Sequence, residues 1–172
     1  MHTDTDIDVD TDADTDATGA DGVTRAAAVA AATGLIAAGA LHVVWVFTPW
    51  PLGSAAEFAE TVVGVTEDRL PSVPLTLGVA GALGAAGYTV LSAGRTVPVV
   101  GPRKLNRIGV WTLAGVLAAR GAQGLIHSGL ALGNSPAAYR RRDLSVYSPL
   151  CLALAGLTGY VAHRTRRSRP GR

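Results

Sequence analysis

The chain has 172 residues, 48% hydrophobic but only 16% charged, with 15 basic and 13 acidic side chains and a formal charge of +2. Ordinary soluble domains carry about 25% charged residues, so this composition argues against a water-exposed globule. The single cysteine, Cys151, excludes an intrachain disulfide and a thiolate metal cluster, and the basic residues form short clusters between apolar runs rather than the stripe of a nucleic-acid binder.

Residues 1–25 begin MHTDTDIDVDTDADTDATGADG, with Asp at every second position from Asp4 to Asp16. Eight of the 13 acidic residues lie in the first 22, which leaves 15 basic and 5 acidic side chains for the other 150. Self-repulsion and the lack of apolar surface predict a disordered acidic tail. The loop pattern and closing Glu of an EF-hand are missing, so no metal site is expected, and the charge has the wrong sign for a secretory signal.

Four apolar segments follow, at about 26–47, 73–93, 108–132 and 144–162. A hydrocarbon core of roughly 30 Å takes about 20 helical residues, and the runs are too continuous for barrel strands. The expected fold is all-α: an integral membrane four-helix bundle over 26–163, followed by a basic tail over 164–172. The third segment is the least apolar. Gly34 and Ala38 stand four apart, as do Gly78, Ala82 and Ala86. Small residues at that spacing let helices approach closely in lipid, within the bundle or against other membrane proteins. Pro149 falls in the first turns of the fourth segment, where a missing amide costs least.

Charge sets the orientation. Arg25, the turn with Arg95, Arg103, Lys104 and Arg107, and the tail with Arg164, Arg166, Arg167, Arg169 and Arg172 put ten basic residues on one side. The other side has four, Arg69 and Arg140–Arg142. The positive-inside rule then predicts a multi-pass cell-membrane protein with both termini cytoplasmic.

Several polar residues fall inside or at the edge of these spans. Arg120 lies at the middle of the third segment, where a lone Arg costs at least about 2.5–3.5 kcal/mol and must face protein or water. Gln123 follows at i+3 and His127 at i+7, only about 20° from Arg120 around a helix. On the first segment His42 and Trp45 share a face. His42 and His127 each lie five residues, about 7.5 Å, from the same end of their helices. Asp143 and Tyr147, four apart, can meet at the start of the fourth segment beside Arg141. Asp143 stands too near the surface to pair with Arg120. The expected cluster is therefore His42, Trp45, Arg120, Gln123, His127, Arg141, Asp143 and Tyr147, with Arg120 as its floor, short of a counter-charge.

These residues also resemble a known family, the bacterial membrane proteins described as domain of unknown function 3995. Leu41, His42 and Trp45 match its L-H-x-x-W element, and Arg120 matches its third-span Arg. Arg141, Asp143, Tyr147, Ser148, Pro149, Leu150, Cys151 and Leu152 match its R-x-D-x-x-x-Y-S-P-L-C-L signature. The likeness runs from Ala26 to Ala162. This chain departs from the pattern at Gly124, where the family often carries an acid, at Val44, and at Phe47-Thr48-Pro49. The resemblance implies a four-span membrane protein and no particular activity.

The sequence points to a non-enzymatic protein. Ser128 adjoins His127 but lies about 100° away on a helix, so the two form no nucleophile–base pair, and no phosphate loop or zinc motif is present. No cofactor is expected. The leading expectation is a packing cluster or a site for a small anionic or amphipathic ligand. The alternatives are haem binding or proton and electron transfer through His42 and His127, and an accessory subunit of a larger membrane complex.

Overall fold

The computed structural model describes residues 10–167, with side chains for 21–166. The described residues are helical, without a strand: α1 (Asp10–Phe47), α2 (Ala55–Phe58), α3 (Val73–Ala93), α4 (Arg103–Gly129), α5 (Ala137–Arg142) and α6 (Ser148–Arg167). A π-helical turn over Asp143–Tyr147 joins α5 to α6 into one rod. Three of these helices are long and apolar enough to cross a membrane: Asp21–Phe47, Val73–Ala93 and the rod from Ala137 to Arg166. The helix α4 falls short, because Arg103, Lys104 and Arg107 load its start and Arg120, Gln123 and His127 its interior.

The helix bounds differ from the sequence expectation at the first and last helices. The first helix starts at Asp10, so part of the expected acidic tail is helical. Residues 1–9 and 168–172 lie outside the described residues, as does most of the expected basic tail. The last helix starts at Ala137 rather than near Leu144. That extension carries Asp143 inside the rod, and it also moves Pro149 from a helix start to a helix interior. There the proline lacks the amide for an i→i−4 bond, and its ring crowds the carbonyl one turn back. The wide π turn just before Pro149 accommodates both effects.

The long helices pack antiparallel in sequence. Gly39 of α1 sits against Ala80 and Leu83 of α3, and further along Gly87 sits against Ile36: a Cβ on Gly39 would lie 3.1 Å from the Ala80 carbonyl, and one on Gly87 2.8 Å from Ile36 Cγ1. The close seam thus uses Gly39 and Gly87. Of the small residues singled out by spacing, Gly78 meets nothing within 4 Å, and Gly34 abuts Leu154 of α6 instead of α3. Ala28, Ala31, Leu35, Val90, Leu117, Leu154 and Val161 form the buried core. Large apolar side chains such as Ile36, Leu75, Val116, Ile126 and Leu150 remain exposed. So much apolar surface is a liability in water and is ordinary against lipid.

This order brings the end of α3, the start of α4 and the end of α6 together at one end of the bundle. The end of α1, the end of α4 and the start of the α5–α6 rod meet at the other, under the α2 segment.

Candidate functional site

The buried face of α4 is Val110, Ala114, Leu117, Gly121, Gly124 and Ser128. These positions alternate steps of four and three, the spacing of a helix packed along its length against a partner. The partner is the α5–α6 rod. Where Gly124 faces it there is no side chain, and the space is filled by polar groups. A Cβ at Gly124 would collide with Ser148 Oγ, and would lie 2.5 Å from Arg120 Nη1 and 2.8 Å from Asp143 Oδ2.

Into that gap Arg120 and Asp143 bring opposite charges. The Arg120 Nη2 donates to Asp143 Oδ1 at 2.9 Å and to the Tyr139 hydroxyl at 3.2 Å. Ser128 Oγ donates to Asp143 Oδ2 at 2.6 Å, and Ser148 Oγ to Oδ1 at 3.2 Å. The Asp143 carboxylate therefore accepts three bonds while its side chain is only 2% exposed. The Arg120 side chain, 39% exposed, is far more open than its partner. The expectation that Asp143 lies out of Arg120's reach is corrected: the longer rod lowers it into the bundle, and Gly124 lets the two helices close around the pair. Arg120 has its counter-charge within the chain, which removes the reason for expecting an anionic ligand to supply one.

Two cavities flank the cluster, and Arg120 and Tyr139 line both. One of about 430 Å³ opens beneath α2, lined by His42, Trp45, Phe58, Arg120, Tyr139 and Tyr147 among others. Rings cluster in its wall: the His42 and Trp45 rings lie 5.0 Å apart between centroids, Trp45 and Phe58 5.2 Å, and Tyr139 and Tyr147 6.2 Å. The Trp45 indole donates to the Trp50 carbonyl at 2.9 Å, tying the loop after α1 to the helix end. His42 Nδ1 lies 2.8 Å from the Ala38 carbonyl, so Nδ1 carries a proton and donates to it. The other cavity, about 360 Å³, is lined by Gln123, Gly124, His127, Ser128, Arg140 and Asp143 with the shared pair.

The predicted residues are thus divided. His42, Trp45 and Tyr147 share one cavity with Arg120, while Gln123, His127 and Asp143 line the second. Arg141 is exposed on α5 and lines neither of these two cavities. The two histidines do not face one space, as a pair of axial haem ligands must. Sequence reasoning missed Tyr139, Ser128 and Ser148. Ser128 was legible, since it follows Arg120 at i+8 and Gly124 at i+4 on one stripe. Tyr139 was not, because its helix begins in a stretch that reads as a loop.

A family model described as Protein of unknown function (DUF3995) matches residues 35–158. Its span contains every residue of the cluster and both cavities' shared wall. No curated protein and no solved structure matches the chain.

Proposed function

The chain belongs to this DUF3995 family, matched from residue 35 to 158, and on that premise we propose that it is a multi-pass membrane protein that holds a small amphipathic ligand in the cavity beneath α2. Four helices cross the bilayer in this reading. The helix α4 is the fourth, carried across by the neutralisation of Arg120 against Asp143. Arg25, the α3–α4 turn and the tail together carry ten basic residues, which supports a cytoplasmic position for that end. The ligand cavity then lies in the outer half of the membrane.

The observation that carries the reading is the composition of the wall. Apolar side chains such as Trp45, Phe58, Val62 and Leu70 surround a few convergent polar groups, Arg120, Tyr139, Tyr147 and His42. That pattern, at a volume of about 430 Å³, is the usual form of a small-molecule site. Because Asp143 balances Arg120, a neutral head rich in hydroxyl or carbonyl groups fits better than an anion. The guanidinium donates, and the two phenols donate or accept. No group is placed as a nucleophile, so the reading is binding rather than catalysis.

Quenching of Trp45 tests it. With the full chain in mild detergent, a brominated monoacylglycerol should quench tryptophan fluorescence saturably. Val62→Trp, which fills the cavity, should abolish saturation, and Trp45→Phe should remove most of the quench. Quenching that rises linearly with probe in all three proteins would mean only nonspecific partitioning, and the site would be lost.

A second reading rests on the burial of Asp143 with its three donors: the cluster fixes the register of α4 against the rod. Both roles are compatible with one geometry.

A further inference from the structure

The opposite end of the bundle carries a cavity of its own, about 500 Å³, between the end of α3, the start of α4 and the end of α6. Five of its lining residues are cationic: Arg95, Arg103, Lys104, Arg107 and Arg166. No Asp or Glu is among the residues that line it. Arg95 leans outward toward Asp21, at 4.0 Å, with both side chains more than half exposed. That leaves four other positive side chains lining one space.

The backbone adds to the same sign. The helix α4 starts at Arg103, behind a Pro102 cap that supplies no side-chain hydrogen bond, and no acidic residue stands in its first turn. A helix N-terminus carries roughly half a positive charge and unsatisfied N–H groups. Cations are the wrong side chains for that position. Here Arg103, Lys104 and Arg107 occupy the first turns of a 27-residue helix. Deeper in, the cavity turns apolar at Val110, Ala93 and Ala162, with Asn106 Nδ2 donating to Ser92 Oγ at 2.6 Å. Residues that serve only to orient a membrane protein need no shared cavity and no helix terminus.

We infer that this basic cavity binds the phosphodiester headgroup of an anionic membrane lipid, with the acyl chains lying against the neighbouring helices. A phosphate fits a helix N-terminus ringed by cations, and basic pockets between helices at a membrane surface take such headgroups. The lipid is favoured over a free phosphate because the same cavity has apolar wall at Ala93, Val99, Val110 and Ala162, and Val100, beside Val99, stands 78% exposed. This inference goes beyond the amphipathic-ligand reading and shares no residue with that cavity.

Thermal unfolding of the full chain in mild detergent provides the test. Dioleoylphosphatidylglycerol should raise the midpoint by several degrees, while dioleoylphosphatidylcholine and inorganic phosphate should leave it unmoved. Each cationic side chain near an anionic surface is worth roughly fivefold in affinity. A variant with Arg103→Gln, Lys104→Gln and Arg107→Gln should therefore bind phosphatidylglycerol about a hundredfold more weakly and lose the shift. Removing two positive charges elsewhere, through Arg69→Gln with Arg141→Gln, should keep it. Equal shifts with both lipids, or a shift that survives in the triple variant, overturn the inference. A shift reproduced by inorganic phosphate overturns the choice of lipid. Should the triple variant fail to fold, native mass spectrometry of the wild-type protein decides: phosphatidylglycerol must stay bound against excess phosphatidylcholine, and its displacement overturns the inference.

Discussion

Replacing Arg120 by Met keeps most of the side-chain volume and removes the charge. It leaves the Asp143 carboxylate, 2% exposed, with two serine donors and no cation. Breaking a buried ion pair by removing one partner costs about 3–5 kcal/mol. Arg120 is 39% exposed on its cavity side, so some of its charge is screened and the lower end, about 3 kcal/mol, applies. For a chain of this length that corresponds to a fall of roughly 6–12 °C in the unfolding midpoint. Asp143→Leu alone should cost a similar amount, since it strands the guanidinium. The double variant with both substitutions should recover most of the loss, because neither charge is then buried unpaired. Helical circular dichroism or intrinsic fluorescence during heating in mild detergent reads all four proteins. If Arg120→Met is neutral while Asp143→Leu is costly, or if the two losses simply add, the pair is not the stabilising contact and the geometry argued from it fails.

Two further substitutions probe the same gap. Gly124→Ala pushes a methyl into Ser148, Arg120 and Asp143 and should destabilise by about 1–3 kcal/mol; Gly115→Ala, which meets nothing within 4 Å on the same helix, should be neutral or gain up to about 1 kcal/mol. Equal midpoints for the two would contradict the close packing. Ser128→Ala removes the 2.6 Å bond to the carboxylate and should cost about 1.5–3 kcal/mol in the same assay, with no loss meaning that the bond is not formed.

The all-helical character was plain in the sequence because long apolar runs leave the backbone no other way to satisfy its hydrogen bonds in lipid. The packing face of α4 was there too, in Val110, Ala114, Leu117, Gly121, Gly124 and Ser128, but Arg120 and His127 are the conspicuous residues, and the exposed His127 shares the angle of Arg120 and lies about 100° from Ser128 on that face. Asp143 was hidden for a different reason. A charge at the edge of an apolar run reads as the end of a helix, and its neutraliser lies 23 residues away on another one. The Gly124 departure looked like a missing acid; the structure shows it as the space that lets a distant acid in. Helix α4 remains the hard case for any reading by apolarity, since its charges are balanced by contacts that no window along one helix contains.

The most direct test of the account is therefore whether α4 crosses the bilayer. In a Cys151→Ser background, Val100→Cys precedes α4 and Asn134→Cys follows it, both at exposed positions. A membrane-impermeant maleimide added to intact cells should label the cysteine at 134 and reach the one at 100 only after lysis. Labelling of both from the same side would leave α4 on the membrane surface, and the buried pair would have no bilayer around it.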